Sequence, residues 1–128
     1  MNEKTLDTAY AHFKIEDDIL FVTYKYGLSI TIDMAKEIVQ NRTEFAGHVL
    51  YPILVIDDGV KIINKEARDF FSSEKGINNI IAAALVLKSN YSSLLGNFFL
   101  KITQPAIPVK SFTDKKKALE WLSQFKLK

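Results

Sequence analysis

Asp57 and Asp58 stand side by side at the end of the apolar run Tyr51 to Ile56, with Gly59 directly after them. Adjacent carboxylates could share a magnesium ion with a substrate phosphate, because hard cations take oxygen ligands. The same three residues also spell a loop, in which Asp58-Gly59 turns the chain and the acids stay in solvent. No other carboxylate is clearly placed beside the pair, so the loop reading is the one adopted. A second place for chemistry is Lys88-Ser89-Asn90, where a strand feeds the start of a helix. Free N–H groups there could hold an anion, although Ser89 is equally explained as the helix cap.

Other chemistries find less to work with. There is no cysteine, which removes thiol nucleophiles, disulfides and thiolate metal sites. No Gly-x-Ser-x-Gly elbow occurs. The two histidines, His12 and His48, are isolated and read as surface or loop residues. Two histidines without thiols make no standard zinc set. The five glycines are scattered, and neither a dinucleotide fingerprint nor a P-loop is present. No catalytic residue, metal ligand or cofactor is therefore assigned. The expectation is a protein that is not an enzyme.

The elements that must position these residues are legible from periodicity. Thr8 to Ile15 alternates, with Ala11, Phe13 and Ile15 on one face, as a half-buried strand does. Asp17-Asp18 makes a turn, and Ile19 to Tyr26 is apolar on both faces, which predicts a central strand and an antiparallel hairpin. A helix follows, capped by Thr31 and ended by Gly47, with Ala35, Ile38, Val39, Arg42, Phe45 and Ala46 at helical spacing. Tyr51 to Ile56 and Ala82 to Leu87 are short apolar runs suited to parallel strands buried on both faces. Between them Asn64 caps a short helix presenting Ala67, Phe70 and Phe71, which Gly76 is expected to end. Ser89 opens a third helix with a stripe of Tyr91, Leu94, Leu95, Phe98, Phe99 and Ile102, broad enough for core, pocket or partner contact. Val109 to Phe112 is an edge-like strand. Thr113 caps a last helix that buries Ala118, Leu119, Leu122 and Phe125, with Trp121 shielding its flank.

The resulting order is β-β-α-β-α-β-α-β-α, an α/β fold with a mixed, mainly parallel sheet and an N-terminal antiparallel hairpin. At 128 residues and 48% hydrophobic content, one domain with one substantial core is expected over 1–128, with 1–7 as a loose leader. Charge is uneven. Residues 1 to 100 carry ten Lys or Arg against thirteen Asp or Glu, whereas 101 to 128 carry seven against two. Lys115, Lys116 and Lys117 nevertheless read as the solvated face of the last helix, and basic residues are not interleaved with aromatics, so nucleic acid is not an expected partner. The start of the chain lacks a secretory pattern, and the longest apolar run, Ile80 to Leu87, is too short to span a bilayer. A cytoplasmic protein without a transmembrane segment is the expectation.

The segment VKSFTDKKKALEWL, with Phe112, Ala118, Trp121 and Leu122, and the preceding KSNYSSLLGNFFLKI carry a family resemblance. Over roughly residues 8 to 126 the chain resembles the STAS superfamily, the sulfate transporter and anti-sigma-factor antagonist domains. It is most similar to the small stand-alone bacterial, anti-sigma-factor-antagonist-like branch. The resemblance implies a mixed sheet with packed helices and a regulatory role through protein–protein contacts. It also implies a phosphorylatable serine in a D-S-S-G-like turn after the third strand. The corresponding stretch here, DDGVKIINKEAR, contains neither serine nor threonine, so that switch is not carried over to any residue.

The function expected is a non-enzymatic binding or regulatory module whose partner is another protein or a second copy of the chain. The alternative is a small protein for an apolar ligand or lipid, related to the CRAL-TRIO carriers, whose topology is similar. The candidate partner or ligand surface is Asp57, Asp58, Ser89 and Asn90, because open α/β sheets bind at the carboxyl ends of their strands.

Overall fold

The computed structural model describes residues 4–87 and 107–126. A six-stranded sheet forms the middle layer. Its strands are β1 (Lys4–Asp7), β2 (Ala11–Glu16), β3 (Ile19–Tyr24), β5 (Tyr51–Asp57), β7 (Ile80–Leu87) and β8 (Val109–Phe112), neighbours in that order. The first three pair antiparallel, and β3, β5, β7 and β8 run parallel. Two further strands, β4 (Ser29–Ile30) and β6 (Ile62–Ile63), pair with each other in parallel. The helices are α1 (Ile32–Ala46), α2 (Lys65–Phe71) and α3 (Lys115–Ser123).

Period-two alternation decides which residue meets which helix layer. Leu20, Val22, Ile53 and Ala83 face the layer that contains Ala35, Ile38, Phe45 and Ala46 of α1 and Ala67 of α2. Their neighbours Ile19, Phe21, Leu54, Ala82 and Ala84 face α3, against Ala118 and Leu122. Strands apolar on both faces are what a sheet covered on both sides requires. The antiparallel hairpin turns at Asp17 and Asp18, whose φ values of 54° and 61° both lie in the left-handed region. That is the geometry of the two-residue turns that match strand twist, and aspartate tolerates it better than most residues.

The helices begin as the residue types dictate. Thr31 accepts from the Met34 N–H, and Asn64 accepts from the Ala67 N–H. The buried face of α1 is Ala35, Ile38, Val39, Arg42, Phe45 and Ala46, and Gly47 follows at φ 68°.

Several elements differ from the sequence expectation: β2 starts at Ala11, β3 ends at Tyr24 and β7 starts at Ile80. Residues 4–7, expected to lie loose, form the edge strand β1 in register with β2. Helix α2 stops at Phe71, well before Gly76, because Ser72 and Ser73 turn their hydroxyls back onto carbonyls of the last turn. Asp114, and not Thr113, caps α3, by accepting from the Lys116 N–H. The pair β4–β6 was not expected at all. The predicted helix bearing Tyr91 to Ile102 lies outside the described residues.

Candidate functional site

The loops that leave the carboxyl ends of β3 and β5 are zipped together. Gly27 N–H donates to the Gly59 carbonyl at 2.9 Å, Lys61 N–H to the Leu28 carbonyl at 2.8 Å, and Asn64 N–H to the Ile30 carbonyl at 3.1 Å. Because β4 and β6 pair in parallel just before Thr31 and Asn64, α1 and α2 start side by side.

Asp57 organises this region. The residue is 7% exposed, and its Oδ1 accepts from the N–H groups of Gly59 at 2.9 Å and Val60 at 2.8 Å. The expected solvated acid is thus a buried acceptor for its own loop. Asp58 is half-buried beside it. No group of three or more His, Cys, Asp or Glu among the described residues could hold a metal ion. Ser89 and Asn90 lie outside the described residues.

Gly59 sits at φ +112°, where side chains are strained. A Cβ there would stand 2.6 Å from Cδ2 of Tyr26. The Tyr26 ring therefore rests on the bare backbone of Gly59 while remaining 82% exposed. Ile62, 48% exposed, follows on the same connection. An exposed aromatic held against a turn loses little conformational entropy when a partner covers it.

A second feature lies between the sheet and α1. An apolar cavity of about 130 Å³ is lined by Val22, Ile53, Val55 and Ala83 from the sheet, Ile38 and Val39 from α1, and Ile77 and Ile80 from the turn ahead of β7. Three polar side chains among the described residues line it, Arg42, Tyr24 and Ser72, and the Ser72 hydroxyl is turned back onto the Arg68 and Asp69 carbonyls. Arg42 is 4% exposed and donates from Nη1 to the Asn78 carbonyl at 3.0 Å and from Nη2 to the Gly76 carbonyl at 3.1 Å. Burial pulls its guanidinium down to about 10, so it remains a cation at neutral pH. Burial drives the Tyr24 phenol well above its ordinary value, opposed by the nearby Arg42 charge and reinforced by Asp57.

A third shifted group among the described residues is on the opposite, open face of the hairpin. Asp7 is held below the usual carboxylate range by hydrogen bonds from Lys25 (2.9 Å) and His12 (3.2 Å). His48 is exposed beyond α1.

A family model described as "Domain of unknown function (DUF7793)" matches residues 13–126. The chain belongs to that family. No curated protein matches it. Among solved structures, the DUF7793 chain is similar to an uncharacterized protein of the DUF3478 family with a SpoIIAA-like fold, from Shewanella loihica PV-4. The TM-score is 0.61 at 14% identity, over 95% of this chain and 96% of the other. That likeness shows the fold, and the fold is STAS-like. A protein of unknown function from Arthrobacter sp. FB24 is 24% identical over 93% of this chain and 97% of its own, with a TM-score of 0.33.

Of the sequence-predicted surface, the structure places Asp57 and Asp58 of this DUF7793 chain directly before Gly59, on which Tyr26 rests. Tyr26 itself was missed, being read as the last residue of a strand; its signal was Gly27 directly after it, which ends the strand early. Arg42 was placed on the buried helix face by its spacing, but its polar role was not read. An arginine inside an apolar stripe was the available signal. No helix among the described residues is long and apolar enough to cross a membrane.

Proposed function

We propose that this protein is a non-enzymatic binding module that docks a protein partner on the face formed by Tyr26, Asp58, Gly59 and Ile62. The observation that carries the reading is the Tyr26 ring, 82% exposed yet seated on Gly59. Large aromatics preset in one conformation are the commonest anchors of protein interfaces. The rim supplies an acid at Asp58 and a base at Lys61, which gives such a partner orientation as well as contact. The STAS-like fold supports a regulatory setting for this contact. Support for a non-enzymatic role comes from the shifted groups. Tyr24 and Arg42 are donors, the one hydroxyl beside them among the described lining residues, Ser72, is turned onto the Arg68 and Asp69 carbonyls, and Asp7 lies on an open sheet face.

A photo-crosslinking residue placed at position 26 in cells tests the reading directly. The expected result is a discrete adduct, either to another protein or to a second copy, that is lost when Ile62→Asp is added. The same residue at position 117, on the exposed side of α3, serves as the control. Equal, diffuse labelling from both positions, or none from position 26, would remove the proposal.

A further inference from the structure

We propose that the cavity between the sheet and α1 is a binding site for a small apolar carboxylate, with Arg42 and Tyr24 as its two polar anchors. The inference goes beyond the docking face and is independent of it. Three observations carry it. The first is size: about 130 Å³ is close to the roughly 150 Å³ apolar cavity that accommodates a benzene ring. The second is the charge of Arg42. Burial of a cation is tolerated when an anion or a full set of acceptors answers it. Among the described residues Arg42 donates only to two neutral carbonyls, Gly76 and Asn78, and no carboxylate pairs with it. Each of those bonds uses one N–H of a nitrogen that carries two, so further donors remain on a guanidinium that lines the cavity.

The third observation is Tyr24. Its hydroxyl makes no hydrogen bond to another described residue, although its ring packs against Phe71 at a centroid distance of 6.1 Å and it lines the same cavity. Tyr24 and Arg42 also feel each other electrostatically. A phenol O–H from β3 and a guanidinium from α1, both lining one cavity with aliphatic side chains around them, are complementary to a carboxylate on an apolar body. The nearby Asp57 forms no ion pair with Arg42; its Oδ1 accepts from the amides of its own loop.

Three probes of one shape separate the possibilities: benzoate, toluene and the benzylammonium ion. They are titrated into the full chain while the amide resonances of Gly76, Asn78 and Ile80 are followed by NMR. Benzoate is expected to shift them saturably, at least about tenfold more tightly than toluene, and benzylammonium not at all. Tyr24→Phe is expected to weaken benzoate about three- to tenfold and to leave toluene unchanged. Val55→Phe, which fills the cavity, abolishes both. The proposal is overturned by any of three results. One is no benzoate shift up to about 10 mM. Another is toluene or benzylammonium binding as well as benzoate. The third is Tyr24→Phe binding benzoate with wild-type affinity. The probe comparison uses unaltered protein, so it decides the matter even if a variant folds poorly. Crosslinking at position 26 does not depend on it.

Discussion

Arg42 of α1 donates through Nη2 to the carbonyl oxygen of Gly76 at 3.1 Å, a contact that joins the helix to a turn 34 residues later. With the second bond to Asn78, the guanidinium fork fixes the chain between α2 and β7. Few other side chains could do this, since a planar fork reaches two acceptors at once. Arg42→Met removes a buried charge but leaves two carbonyls without a partner. The net loss is expected to be about 2 kcal/mol, read from the urea midpoint. Arg42→Lys recovers less than half of it.

Asp57 does the equivalent work after β5. Asp57→Ala frees the N–H groups of Gly59 and Val60 and is expected to cost about 1–2 kcal/mol. Asp57→Asn keeps an acceptor oxygen and should cost about half as much. Hydrogen exchange at Gly59 and Val60 checks the cause. Those two amides should accelerate in Asp57→Ala well before the core of β5 does.

Gly59→Ala places a methyl group where the Tyr26 ring lies, at a φ of +112° that side chains seldom adopt. A loss of about 1–3 kcal/mol is expected. Part of it is steric and part is backbone strain, and a double-mutant cycle separates them. Tyr26→Ala alone should change stability little, because the ring is exposed. In the Tyr26→Ala background Gly59→Ala should cost less than it does alone. Full additivity would mean that the two residues do not touch in solution.

Tyr24 makes stability depend on alkaline pH. Burial raises its folded-state pKa above the unfolded value near 10. The proton is therefore held more tightly in the folded state. The contribution is fully present below about pH 10 and is lost as pH rises through the folded value. Arg42, lowered to about 10, acts in the opposite sense, so the wild-type slope alone is not diagnostic. The difference between wild type and Tyr24→Phe is. Above about pH 10 the wild type should lose stability more steeply than the variant, measured by denaturant titration at each pH.

How much of this was readable beforehand depended on how far apart the interacting residues lie in sequence. The buried face of α1 was read residue for residue because helical spacing is local. So were the caps at Thr31 and Asn64. β1 was missed because Lys-Thr-Leu-Asp is exposed at all four positions and shows no apolar alternation; only its pairing with β2 makes it a strand. β4 and β6 were missed because two residues carry no period. Asp57 was singled out for its type, yet its role as a buried acceptor for amides two and three residues on was not specified by a turn reading. The Arg42–Tyr24 cavity was invisible, since its walls come from separate strands, α1 and the turn before β7.

The two helix layers should respond independently, because the sheet separates them. Leu122 is fully buried on the α3 side, against the face that carries Ile19, Phe21, Leu54, Ala82 and Ala84. Leu122→Ala is expected to cost about 2–5 kcal/mol, the range for cavity-forming changes in a packed core. Leu119→Ala, at a half-buried position one turn earlier, should cost clearly less. Arg42 works on the other face, among the residues of the cavity. The double variant Leu122→Ala with Arg42→Met should therefore lose the sum of the single effects within about 0.5 kcal/mol. To keep that sum measurable, the urea series is run with a stabilising osmolyte present throughout. A coupling above about 1 kcal/mol would show that the sheet transmits strain between its two faces, and that the layers are one mechanical unit.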